Sequence, residues 1–217
     1  MLIEADSRVR QPYRSGKGRE LGLIMLEKGH IGITGSAGSG KTTLATALAE
    51  RLGRCFVPEA MRDRLAAGFD LHRLTRAGHR ALLADDATDL ARRLAVPDAQ
   101  LVTDRTPLDM AAFWLSNGYG VDDPAATEAL LGRAVCAMAD YRRVVLLPWG
   151  ALPLTADGVR SANPWMQLHF QEIIEGLCRR FLPPENLLVV PDTAVSFSER
   201  LNWVLKQLED CGSPNLS

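Results

Sequence analysis

The segment Gly35-Ser36-Ala37-Gly38-Ser39-Gly40-Lys41-Thr42 carries the pattern G-x-x-x-x-G-K-[ST], whose residue types are those needed to hold a polyphosphate. Glycines let consecutive backbone N–H groups turn inward on phosphate oxygens, and a helix opening at the end of the loop adds positive potential. Lys41 is expected to reach the β- and γ-phosphates as a solvent-facing charge with no core role, and the Thr42 hydroxyl to ligate Mg²⁺. Gly35 through Thr43 are therefore the expected nucleotide-binding residues, with ATP and Mg²⁺ as ligands.

That cradle serves motors, GTPases and small-molecule kinases alike, so other residues must separate them. The sequence has neither an N-K-x-D tetrad nor a D-x-x-G switch, and its third apolar run ends in Asp104-Arg105 where motor ATPases carry paired acids. Three charged segments remain: Glu59-Ala60-Met61-Arg62, Asp104-Arg105-Thr106-Pro107-Leu108-Asp109, and Ala156-Asp157-Gly158-Val159-Arg160. A hydroxyl attacking a γ-phosphoryl group needs a carboxylate that aligns it and accepts its proton, while arginines and Mg²⁺ offset charge on the phosphate oxygens. Glu59 is the expected carboxylate, Asp104 stands on the metal side, and Arg105 and Arg160 are expected to clamp phosphate oxygens bidentately. Arg62 is as consistent with a surface role as with a functional one. Thr106-Pro107-x-Asp109 reads first as a helix N-cap, and Asp157 as a turn residue.

Those residues need strands and helices to bring them together. Short apolar runs at His30–Thr34, Cys55–Pro58, Leu101–Thr103, Val144–Leu147 and Leu187–Val190 predict five buried parallel strands. Between them, Leu44, Leu48 and Leu52 share one helical face, and Leu83, Ala87, Leu90, Ala91 and Leu94 share another. Met166, Phe170, Ile173, Ile174, Leu177 and Phe181 form a longer stripe, and the box Ser196-x-x-Glu199 opens the last helix. Alternation of strand and helix predicts an α/β protein with a doubly wound parallel sheet, whose strand ends converge on one crevice. Phe113, Trp114 and Trp149 are expected to pack rather than stack on a ligand. Arg142-Arg143 are expected to precede a strand and balance a helix dipole, and the four histidines to be surface or lining residues.

At Glu59, Arg62, Asp104-Arg105 and Asp157-Gly158-x-Arg160 the sequence resembles small P-loop kinases. It is similar to the deoxynucleoside kinases in the Glu after the second strand and the Asp-Arg after the third, with Thr106 for Ser and Ala60 for Pro. It is also similar to the ATPase/kinase family containing the nicotinamide riboside kinase modules, in Glu-x-x-Arg, Asp-Arg-x-x-x-Asp and Asp-Gly-x-Arg. The resemblance spans roughly residues 28 to 209. It implies a P-loop NTPase fold of nucleotide-kinase type, a five-stranded parallel core, a short mobile lid at Asp157–Asn163, and ATP as donor to a small acceptor.

Composition sets the outer bounds. At 217 residues and 47% apolar content the chain supports one core. With 25 basic and 26 acidic residues, net charge −1, nothing favours nucleic acid or a membrane surface. The four cysteines lack metal or disulfide spacing and are expected to be reduced thiols that mostly pack. The expected organisation is a flexible arm over 1–20, one kinase-like domain over 21–210 and a tail over 211–217, in a cytoplasmic protein. Two functions stay open: a kinase for a nucleoside- or nucleotide-like acceptor, and a regulatory ATPase whose nucleotide state controls a protein partner. A homodimer is left open as well.

Overall fold

The structure, a computed structural model, describes residues 28–96, 98–153 and 163–210. The expected arm, tail and most of the expected lid lie outside those residues. All five apolar runs form strands: β1 (His30–Thr34), β2 (Cys55–Val57), β3 (Leu101–Asp104), β4 (Tyr141–Leu146) and β5 (Leu187–Val189). They make one sheet in the order β2-β3-β1-β4-β5, with every pair parallel. Eight helices are described: α1 (Lys41–Leu52), α2 (Ala60–Ala66), α3 (Arg76–Leu94), α4 (Pro107–Ser116), α5 (Tyr119–Asp122), α6 (Pro124–Ala137), α7 (Pro164–Phe181) and α8 (Phe197–Asp210).

Side chains alternate across a strand, so each strand feeds two cores. Ile31, Ile33, Val102, Val145 and Leu188 pack with Leu44, Leu48, Val204 and Leu208 on the α1/α8 face. Leu101, Val144 and Leu146 pack with Leu108, Ala112, Ala134, Phe170 and Ile174 on the α4/α6/α7 face. Neighbouring β1 and β3 therefore lead into helices on opposite faces, and their C-terminal ends open a crevice between them. Gly32 lies in β1 because a Cβ there would come within 2.5 Å of the Thr106 methyl group and 2.9 Å of the Tyr141 ring.

Three local expectations are corrected by packing. Strand β4 begins at Tyr141, so Arg142 and Arg143 lie inside it; Arg143 is buried, with Nη1 donating to Arg142 O at 2.8 Å. His30 is buried rather than a surface or lining residue: its Nδ1 accepts the Leu101 amide at 3.3 Å and its ring meets Tyr141 edge-on. Cys55 and Cys136 are exposed, and Cys178 alone among the described cysteines is buried. Trp114 packs as expected, with Nε1 donating to Thr127 at 2.8 Å. A third cluster of Leu83, Trp114, Tyr119 and Leu130 ties α3 to α4, α5 and α6 beyond the sheet.

Candidate functional site

The loop after β1 bends through Gly35, Gly38 and Gly40, whose φ values of 132°, 78° and 89° lie where a side chain would be strained. Lys41 and Thr42 then begin α1, and Thr43 faces solvent. Loop carbonyls are tied outward. Gly35 O accepts from Arg105 Nη1 at 2.9 Å, Ser36 O from Lys41 Nζ at 2.7 Å and Ser39 Oγ at 2.9 Å, and Ser39 O from Arg200 Nη1 at 2.7 Å. Two of its amides are held as well: Ser36 N donates to Gln171 Oε1 at 2.8 Å and Ala37 N to Gln167 Oε1 at 2.9 Å.

Lys41 departs from the solvent-facing charge expected of it: it is 5% exposed, with Nζ donating to Ser36 O. Burial, reinforced by the Arg105 charge, lowers its pKa to about 7 against the pull of Glu59, Asp104 and Asp109.

Register carries the second strand ends to the same place. Ile33 lies opposite Asp104 and Val57 opposite Thr103, so Glu59, Asp104 and Arg105 emerge beside the cradle. Arg105 has φ 90°, in the left-handed region, with its amide donating to Ile33 O at 2.9 Å. Such a conformation in a residue with a Cβ costs about 1–3 kcal/mol and persists where surrounding contacts over-determine it. Those contacts are visible. Nε donates to Glu59 Oε1 at 3.0 Å and Nη1 to Asp109 Oδ1 at 3.0 Å, while the guanidinium lies 4.8 Å from the Phe113 ring centre and 5.3 Å from that of Phe170. Burial opposes the Arg105 charge, but Glu59, Asp109 and Asp104 outweigh it and raise its pKa.

Thr106 is the expected N-cap, and Asp109 completes a capping box with it and does more. It is fully buried and also accepts from the Thr34 hydroxyl at 2.9 Å, joining β1, β3 and α4. Removing one partner from such a buried pair costs about 3–5 kcal/mol, which makes Asp109 a structural keystone of the site. Glu59 sits at the N-cap position of α2, yet its side chain caps no amide. Its carboxylate, 14% exposed, faces Arg105 instead.

Asp104 Oδ2 accepts the Thr42 hydroxyl, which also accepts from Arg62 Nη2 at 2.7 Å. Asp104 Oδ1 is buried with no hydrogen-bond partner. A hydroxyl beside a carboxylate with a spare oxygen is a hard-oxygen donor set that fits Mg²⁺. Among the described residues no cluster of three or more His, Cys, Asp or Glu forms a metal site.

The structure thus brings together Gly35 to Thr43, Glu59, Asp104 and Arg105. Arg160 and Asp157 lie outside the described residues. Sequence reasoning missed Gln167, Gln171 and Arg200, which reach the cradle from α7 and α8. The only local signal was two glutamines, four residues apart, on an otherwise apolar helical face.

The family model of an AAA domain matches residues 30–200. The sequence matches none of the curated proteins. Among solved structures the chain is similar to NadR protein in complex with NR, at 19% identity over 88% of this chain and 54% of that one, TM-score 0.63; it thus spans about half of the NadR chain. It is also similar to deoxyadenosine kinase from M. mycoides with bound dATP, at 14% identity over 82% of this chain and 98% of that one, TM-score 0.55. At such identities the likeness is one of fold alone. The chain belongs to the AAA domain family.

Proposed function

We propose that the protein transfers the γ-phosphoryl group of ATP to a hydroxyl of a small nucleoside- or nucleotide-like acceptor. The observation that carries this reading is Glu59, held by Arg105 beside the cradle instead of capping its own helix. In that position a carboxylate can align an acceptor hydroxyl and take its proton as the bond to phosphorus forms. The amides of the glycine loop and Lys41 bind the phosphates, and Arg105, whose pairs with Glu59 and Asp109 orient it, offers its charge to the transferring group. Arg160 is proposed to add a second clamp. The similarity of fold to a deoxyadenosine kinase with dATP and to NadR protein with NR supports an acceptor of nucleoside type.

Thr42 and Asp104 would hold Mg²⁺, which when bound neutralises charge on the β- and γ-phosphates. Asp104→Asn keeps the Thr42 contact but loses carboxylate charge. It is expected to raise the Mg²⁺ concentration needed for half-maximal activity by about tenfold. A magnesium titration that superimposes on that of the wild type would remove Asp104 from the metal side.

The direct test is ATP consumption with nucleosides, nucleoside monophosphates and pyridine ribosides. Phosphoryl transfer predicts ADP release that depends on one of them. Slow ATP turnover indifferent to every acceptor would instead support a regulatory ATPase. No helix among the described residues is long and apolar enough to cross a membrane, and a cytoplasmic location is part of the proposal.

A further inference from the structure

We infer that Gln167 and Gln171 are positioning residues for the nucleotide: from one face of α7 they set the conformation of the first half of the cradle. The inference rests on the reading of the Gly35–Thr42 loop as the ATP site. Residues four apart lie above one another on a helix, and these two are 7% and 4% exposed on the side facing the loop. Each accepts one of two consecutive loop amides, Ala37 N at 2.9 Å and Ser36 N at 2.8 Å. Gln171 uses both ends of its amide, since Nε2 donates to Leu147 O at 3.1 Å. Leu147 N in turn donates to Thr34 O at 3.0 Å, so Gln171 bridges the end of the sheet to the loop.

An anion-binding loop works by aiming amides, and every amide needs a defined partner. With Ser36 and Ala37 N–H committed to α7, the amides from Gly38 onward are the ones left to face the phosphates. Arg200 and Lys41 hold the carbonyls of Ser39 and Ser36 from other directions. Without the glutamines, the Ser36 and Ala37 amides lose their buried partners. The loop can then recover those hydrogen bonds only by turning, which moves the amides that follow. The effect falls on ATP binding because the glutamines act through the loop and touch no reacting atom.

Gln167→Met and Gln171→Met preserve side-chain volume while deleting the acceptor. Each is expected to raise the Kd and KM for ATP-Mg about tenfold, with kcat within about threefold of wild type. Because both act on one loop, the double variant should lose less than the product of the two. Gln167→Glu keeps the acceptor but places a negative charge beside the phosphates, so its loss of ATP affinity should be largest at low salt. The loss in Gln167→Met should vary little with salt. Unchanged ATP affinity in the Met variants, or a lowered melting midpoint with unchanged affinity, overturns the inference. Lys41→Met measured alongside separates the two levels. If it loses ATP while the glutamine variants do not, only the inference fails; if it binds ATP like wild type, the cradle reading itself fails.

Discussion

Glu59→Gln is expected to lower kcat by about 10²-fold or more while ATP affinity changes little, within the usual range for a positioned proton acceptor. The substitution is close to isosteric. The Gln Oε1 can still accept from Arg105 Nε, which Glu59 Oε1 does at 3.0 Å, so the orientation of Arg105 is retained and the ability to take a proton is lost. Asp109 continues to compensate the buried Arg105. Had Glu59 served as a helix cap, its side chain would accept a hydrogen bond from the first turn of α2, and it accepts none there. The contrast with Asp104→Asn is the sharper test, because that variant should shift the magnesium requirement and Glu59→Gln should not. Single-turnover transfer to the identified acceptor at the wild-type rate in Glu59→Gln would show that the carboxylate has no part in proton transfer.

Lys41→Met is expected to abolish ATP-Mg binding at concentrations up to about 10²-fold above the wild-type Kd, and at the same time to stabilise the fold near neutral pH. Both effects follow from burial. The ammonium is enclosed and hydrogen-bonded to Ser36 O, and a polyphosphate would add a direct anionic contact to the more distant pull of Glu59, Asp104 and Asp109. Its pKa is about 7 in the folded chain against the ordinary 10.5. Between those values the unfolded chain binds more protons than the folded one, so the contribution of Lys41 to stability rises with pH across that window. Methionine has no such dependence. The variant should therefore melt above the wild type at pH 7, and the gap should close as pH rises toward 10. Calorimetry with ATP-Mg and melting curves at several pH values read both effects. A gap that does not change with pH would show that the charge on Lys41 is not penalised in the folded protein.

The five strands, the helices α1, α3, α7 and α8 and the cradle were legible in the sequence because each is coded locally. Runs of four to six apolar residues mark buried strands whatever their neighbours are, and a glycine loop before a helix forms by its own backbone preferences. The capping boxes at Thr106–Asp109 and Ser196–Glu199 are local in the same sense, and both are present. Strand β4 ran three residues further back than its apolar run, because Asn186 and the flanking backbone accommodate Arg143 within the sheet.

What only the tertiary structure decided is which polar groups meet. That β1 and β3 are neighbours while β2 lies at the edge is a matter of strand order, and it places Glu59 against Arg105 across 46 residues of chain. The burial of Lys41, the keystone role of Asp109 toward Thr34, and the reach of Gln167, Gln171 and Arg200 to the loop depend on helices packing from both faces of the sheet. A motif specifies the few residues whose backbone must turn in a given way. The partners that hold that turn come from distant segments, and their side chains acquire a role only when burial removes water as the competing partner.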